Sequence, residues 1–258
     1  MSLVLFKEDV RGWGIITLNN PDNLNAMDEV MATEFSALID KIIASKKNYR
    51  SIILTGSGRA FSAGGNLDML EKKTTFTKEK NKELMENFYY SFLKILDLET
   101  PLIAAINGHA IGAGLCVASA CDIRIAAESA KLGFTFTKLG LHPGMGGTYF
   151  LPKVVGYPFA TELMLTGRVV MAPEAEKMGL ISRIVKDDMA MAEAEKIAEE
   201  INSCGPEATK QLLMTLRKGS SSMKQALENE ANCQAINYSG DEFKEGIAAI
   251  KEKRPPNF

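Results

Sequence analysis

Two short segments rich in small residues could stabilise negative charge through their backbone amides. The first, residues 61–67, reads Phe-Ser-Ala-Gly-Gly-Asn-Leu, and the second, residues 106–114, reads Ile-Asn-Gly-His-Ala-Ile-Gly-Ala-Gly. In the second segment a buried strand is predicted to run straight into a turn that opens a helix, where the first N–H groups have no intrahelical partner. Because only Gly and Ala side chains lie nearby, an oxygen atom can approach these amides closely. Two such turns facing one pocket would form a two-amide oxyanion hole.

The elements that must position these turns alternate between strands and helices. Apolar alternation predicts a hairpin from strands over 3–7 and 13–18, and further strands over 51–55, 101–106 and 123–126. Asp28 can cap a helix with an apolar stripe, and another helix is predicted from about 113. This order is typical of an α/β core. From Ala160 onward helical periodicity dominates, with helices expected over 189–201, 207–218, 222–238 and 241–253. That helical tail is either a lid or an oligomerisation surface.

Composition limits the classes of partner. The 258 residues carry a net charge of −2, so no nucleic-acid partner is expected. No apolar run approaches the ~20 residues of a membrane span, and no membrane partner is expected. The four cysteines lack CxxC pairing and metal-ligand spacing, which predicts reduced thiols, a cytoplasmic location and no metal site. The lysine-rich stretch 71–83 is either a solvated surface or a contact for the phosphates of an anionic ligand.

Several motifs, taken together and in order, resemble the crotonase superfamily, the enoyl-CoA hydratase/isomerase group. The likeness covers nearly the whole chain. The motifs are Asn19-x-Pro21, Asn25-Ala26-Met27, the two small-residue segments, Pro101 to Gly108, Ala120-Cys121-Asp122, Pro143-Gly144-Met145-Gly146-Gly147, Leu165-Thr166-Gly167-Arg168 and Gly179-Leu180-Ile181.

The resemblance implies an α/β spiral of strand-strand-helix units over residues 1–200, with a C-terminal helical region over 201–258 that packs on neighbouring subunits in a homotrimer or a dimer of trimers. It implies an acyl-coenzyme A or acyl-carrier thioester as ligand, with no cofactor besides the coenzyme A of the substrate. The amides of Gly65 and Ala113 would hold the thioester carbonyl. Residues expected to bind the substrate or its coenzyme A are Asn25, Ala26, Ala63, Gly64, Asn66, Leu67 and Phe136, with Lys251 reaching across a subunit boundary.

The chain departs from the family at the two acid/base positions. Hydratases of the family use two glutamates, and the alignment places Cys116 and Phe136 there. Isomerisation, decarboxylation or hydrolysis is therefore favoured over hydration. His142 is a candidate base, since imidazole titrates near neutrality. Cys116 is either core or a thiol whose pKa the helix start lowers. A catalytically silent acyl-CoA-binding protein of the same fold is the alternative function.

Overall fold

The computed structural model describes residues 2–258 and contains two β-sheets. The strands are β1 (Val4–Glu8), β2 (Gly14–Leu18), β3 (Ile52–Gly56), β4 (Ala60–Ser62), β5 (Leu102–Ile106), β6 (His109–Ile111), β7 (Ile123–Ala127), β8 (Lys131–Gly133), β9 (Val169–Met171) and β10 (Arg183–Val185). The helices are α1 (Glu29–Ala44), α2 (Leu67–Lys73), α3 (Lys78–Leu93), α4 (Ala113–Ala120), α5 (Gly147–Thr166), α6 (Ala172–Lys177), α7 (Ala190–Asn202), α8 (Pro206–Lys218), α9 (Met223–Ser239) and α10 (Asp241–Glu252).

The larger sheet has the order β1-β2-β3-β5-β7-β10, and the smaller one β4-β6-β8-β9. All pairs are parallel except β1 with β2 and β8 with β9. Three times in succession the chain makes a strand in the larger sheet, a strand in the smaller sheet and then a helix. The α/β fold class expected from the sequence is confirmed, and both helix-opening turns lie at the ends of strands in the smaller sheet.

Local sequence explains the predicted elements well. The Asp28 carboxylate accepts a hydrogen bond from the Met31 amide at 2.8 Å, which caps α1 as expected. The core-facing side of α1 buries Phe35, whose ring lies 5.2 Å from that of Phe92 on α3. These contacts hold α3 against α1, while other side chains of α3 line a cavity.

The helical region packs unevenly on the sheets. On one side of the larger sheet, α7 covers Trp13, Ile53 and Ile103, and the predicted boundary between residues 200 and 201 lies in the last turn of this helix. Arg217 anchors α8 through a two-point ion pair with Asp122, 3.0 and 2.7 Å long. The next helix, α9, buries none of its residues.

The short strands were not foreseen. The first small-residue turn follows β4 rather than the strand 51–55, and β6 separates the strand 101–106 from α4. Likewise, the stretch after Ala160 contains β9 and β10, where only helical periodicity was expected. A three-residue strand shows too few alternations for the sequence pattern to reveal it. Across residues 2–258 the structure contains no helix with the length and apolar character of a membrane span.

Candidate active site

The two small-residue turns pack directly against each other. A Cβ atom on Gly64 would lie 2.7 Å from the carbonyl oxygen of Ile111 and 3.5 Å from the nitrogen of Ala113. Gly64 also has a φ of +94°, a conformation that residues with a side chain rarely adopt. Glycine at position 64 is thus what brings the first turn up to the start of α4.

Two amides at this junction lack protein partners. Met27 N donates to Gly64 O at 2.7 Å and Asn66 N donates to Met27 O at 2.8 Å, so the intervening Gly65 N–H faces the other side of the extended chain. Ala113 is the first residue of α4, and its N–H precedes the first intrahelical bond. Neither amide donates a hydrogen bond to any group in residues 2–258. Both are available to an oxygen atom.

Gly65 and Ala113 both line one cavity of about 310 Å³. It lies between the two turns, α2, α3 and the loop that precedes α5. Its lining residues are Ala63, Gly64, Gly65, Leu67, Met69, Leu70, Lys73, Asn81, Met85, Phe88, Tyr89, Ile111, Gly112, Ala113, Thr135, Phe136, Leu139, Leu141, His142 and Met145. Within the described chain, no Asp or Glu belongs to this lining. The ammonium of Lys73 is paired with Glu29 at 2.7 Å, which offsets its charge.

Aromatic side chains form much of the cavity wall. The Phe136 ring approaches the oxyanion turn, with its Cζ 3.9 Å from where a Cβ of Gly112 would lie. On the side formed by α3, the Tyr89 hydroxyl stands so close to Gly144 that a Cβ there would overlap it. Burial raises the pKa of Tyr89 above its usual value. Tyr89 was missed at the sequence level, although the apolar spacing of Met85, Phe88, Tyr89 and Phe92 could have placed it on an inward helix face.

His142 lies at the exposed rim of the cavity. Its Nδ1 is 2.8 Å from the carbonyl oxygen of Pro143. In the tautomer that makes this contact a hydrogen bond, Nδ1 donates to the carbonyl oxygen and Nε2 is left to accept a proton. The candidate base predicted from the sequence therefore reaches the site from the solvent side.

Cys116 is a core residue rather than a reactive thiol. The residue has no exposed surface, and its sulfur packs against Gly147 rather than the cavity. Burial raises the pKa of this thiol instead of lowering it, so the thiolate is disfavoured. Of the two alternatives for Cys116, the structure supports the core position, because α5 closes over that face of α4.

The predicted substrate-binding residues divide into two groups. Ala63, Gly64, Gly65, Leu67 and Phe136 line the cavity, whereas Asn25, Ala26, Asn66 and Lys251 do not.

The side chains of Asn25 and Asn66 form hydrogen bonds with backbone groups. The buried Asn25 side chain donates to the carbonyl oxygens of Ser57 and Ala60 at 2.9 and 2.8 Å and accepts from Asn20 N at 2.8 Å. Asn66 caps α2 by accepting from Met69 N at 3.0 Å. These contacts occupy the Asn25 amide and the Asn66 side-chain oxygen, and the predicted ligand contacts of both residues stay predictions. Lys251 is exposed on α10, and its role across a subunit boundary stays a prediction.

Comparisons with known proteins agree with this architecture over the whole chain. The family model described as Enoyl-CoA hydratase/isomerase matches residues 9–258. A Mycobacterium leprae protein named "Probable enoyl-CoA hydratase echA8" is 36% identical over 246 residues, which cover 95% of this chain and 93% of that one. "Probable enoyl-CoA hydratase, mitochondrial" from Dictyostelium discoideum is 35% identical, covering 95% and 87%. The crystal structure of an enoyl-CoA hydratase from Bacillus anthracis superimposes with a TM-score of 0.91 at 32% identity, covering 99% and 98%.

Proposed function

Because this chain belongs to the enoyl-CoA hydratase/isomerase family, we propose that it acts on acyl-coenzyme A or acyl-carrier thioesters and stabilises an enolate with the N–H groups of Gly65 and Ala113. Both amides are unpartnered in the described chain, and both residues line one cavity. A thioester oxygen placed between them would accept two hydrogen bonds that strengthen as the enolate forms. One such donor contributes about 2.7–4 kcal/mol at the transition state.

Our choice among the family's reactions rests on one observation: among residues 2–258, no Asp or Glu lines the cavity. Addition of water across a double bond by the family's route needs two carboxylates to move protons. Here a buried thiol and a phenylalanine stand at the aligned positions 116 and 136, and neither side chain replaces a carboxylate in proton transfer. Isomerisation, decarboxylation or hydrolysis is therefore favoured over hydration.

The remaining groups of the site suit these reactions. The Phe136 ring beside the oxyanion turn excludes water, and hydrogen bonds to the thioester oxygen are stronger in such surroundings. The free Nε2 of His142 at the rim could accept a proton from the substrate or from an attacking water.

A panel of unsaturated, branched and dicarboxylic acyl-CoAs, with products identified by mass, tests the proposal. We expect turnover of at least one thioester by isomerisation, loss of CO2 or hydrolysis, and little hydration of crotonyl-CoA. Hydration of crotonyl-CoA at the rate of an ordinary hydratase would contradict our interpretation of Cys116 and Phe136.

The same lack of carboxylates favours one alternative, a protein that binds acyl-CoA without transforming it. Tight binding of CoA thioesters by calorimetry, with every thioester of the panel recovered unchanged, would support this alternative over the enzyme.

We also propose a homotrimer or a dimer of trimers in the cytoplasm. Support comes from apolar side chains that the C-terminal helices expose in the single chain, namely Leu212, Leu216, Leu227, Ile236, Tyr238 and Ile250. Such a surface is typical of subunit contacts. Light scattering coupled to size-exclusion chromatography tests the assembly, and a monomer at micromolar concentration would contradict it.

A further inference from the structure

Tyr89 is a cavity-lining group with a transferable proton whose hydroxyl makes no hydrogen bond within the described chain. Its ring is held edge-on to Phe88, with 6.3 Å between the centroids. Glycine at position 144 leaves the space that the hydroxyl occupies, since any side chain there would overlap it. The phenol is thus packed in place while its polar atom stays free for a substrate.

A short series of contacts links this hydroxyl to the oxyanion turn. Gly144 O accepts a hydrogen bond from Gly147 N at 2.9 Å, and the Cys116 sulfur lies 2.9 Å from where a Cβ of Gly147 would be. Cys116 in turn lies three residues after Ala113, on the same face of α4. Tyr89 and Ala113 therefore line the same cavity and are joined by this series of packed groups.

The Tyr89 phenol is suited to donating a proton and not to removing one. Burial keeps its proton in place at neutral pH, so the group can donate a proton to a strongly basic carbon but has little capacity to remove one. Among the described residues, no Asp or Glu lines the cavity to form an enolate by deprotonation, and His142 lies at its exposed rim. A substrate that forms its enolate by losing CO2 needs only the two amides and a proton donor.

Building on the proposed function, we propose that the substrates are acyl thioesters with a carboxylate on the carbon next to the thioester carbonyl, and that the Tyr89 hydroxyl protonates that carbon after CO2 leaves.

In this step the carbon–carboxylate bond breaks, and its electron pair moves into the enolate, whose oxygen rests on Gly65 and Ala113. When the carbonyl re-forms, the carbon takes the Tyr89 proton, and the phenolate then takes a proton from water. The net change is a carboxylate plus a proton giving CO2 and a C–H bond, with no oxidant or reductant.

The walls of the cavity favour the loss of CO2 from a bound carboxylate. A carboxylate is poorly solvated between Phe88, Phe136 and Met145, whereas CO2 is uncharged. The cation of Lys73 is already paired with Glu29, so it does little to hold the carboxylate in its charged form. Negative charge accordingly moves from an apolar region to the two amides.

Malonyl-CoA and methylmalonyl-CoA are the probes, and Tyr89→Phe is the test variant, since it removes only the hydroxyl. Tyr90→Phe is the matched control, because Tyr90 is the next residue on α3 but is exposed and lies outside the cavity. We expect the wild type and the control to release CO2 from at least one probe. In Tyr89→Phe, kcat should fall by about 10²–10⁴-fold, the usual contribution of a positioned acid, with KM little changed.

A stereochemical readout separates proton delivery from a structural role. In D2O the wild type should convert methylmalonyl-CoA to propionyl-CoA with one deuterium in a single configuration at the 2-carbon. In Tyr89→Phe, residual turnover should give both configurations, because water then delivers the deuteron from either face.

Failure of this inference differs from failure of the proposed function. If neither probe loses CO2, or if Tyr89→Phe keeps the wild-type kcat and configuration, the inference is overturned. If neither probe loses CO2 while 3-butenoyl-CoA is isomerised in a reaction that Ala113→Pro abolishes, the inference is overturned and the proposed function stands. Turnover of any probe that survives Ala113→Pro unchanged would overturn the proposed function itself.

Discussion

Replacing Ala113 by proline should remove one oxyanion donor while the fold is retained. Ala113 is the first residue of α4, where proline is well tolerated because its missing N–H has no helical partner. The preceding residue, Gly112, has φ 52° and ψ −121°, the mirror image of the extended conformation that residues before proline prefer. Glycine occupies such mirror-image conformations freely. We therefore expect unfolding free energy to change by no more than about 1 kcal/mol.

The expected loss of activity follows from the number of donors. With two N–H groups at the oxyanion position, the substitution leaves only that of Gly65. Loss of one donor typically lowers kcat by about 10²–10³-fold, or about 2.7–4 kcal/mol. The proline ring also extends from the former N–H position toward the cavity, so the lower end of this range is the minimum expected.

Lys78→Pro provides the matched control. Lys78 is the first residue of α3, follows an extended Thr77 and is exposed outside the cavity. Both variants should show wild-type circular dichroism and urea unfolding. The kcat and KM of each are then measured by mass spectrometry on whichever thioester of the panel the wild type transforms.

One result would refute the reasoning. If Ala113→Pro is folded and turns over the thioester within a few fold of Lys78→Pro and the wild type, the Ala113 amide does not hold the developing charge.

Three further predictions concern reactivity and stability. In the folded protein at pH 8, iodoacetamide should modify the exposed Cys204 and leave the buried Cys116 unmodified by peptide mass mapping; rapid modification of Cys116 would contradict its placement. Burial and a hydrogen bond to Glu8 raise the pKa of Tyr49 from 10.0 to about 12. The protonated Tyr49 side chain therefore contributes fully to stability below pH 10, and this contribution is lost as the pH rises to about 12. Over that interval the unfolding free energy of the wild type should fall by about 2 kcal/mol more than that of Tyr49→Phe, and equal declines would refute the assignment. Arg217→Leu should lower the unfolding free energy by about 3 kcal/mol because it leaves a partly buried carboxylate without its partner, whereas Lys210→Met, at an exposed ion pair, should cost less than about 1 kcal/mol; equal losses would contradict this difference.

Much of the fold could be predicted because its information is local. Apolar alternation identified the strands of the first hairpin to within a residue, and the Asp28 cap identified the start of α1. The small-residue turns were recognisable for the same reason, since glycine and alanine next to a strand leave backbone amides accessible whatever surrounds them. Three-residue strands such as β6 escaped detection, because their existence depends on pairing with strands distant in the chain.

For the candidate site, too, local features could be predicted from the sequence, whereas features that depend on distant segments could not. By itself, the sequence determined which backbone amides could face an oxygen and that no glutamate stands at positions 116 and 136. Only the tertiary structure decided that Cys116 is sealed beneath α5, and that α3 brings Tyr89 to a cavity whose amides lie more than 20 residues away in the chain. The physical reason is that burial, and with it the protonation of a side chain, depends on what packs against it, and here the packing elements come from distant segments.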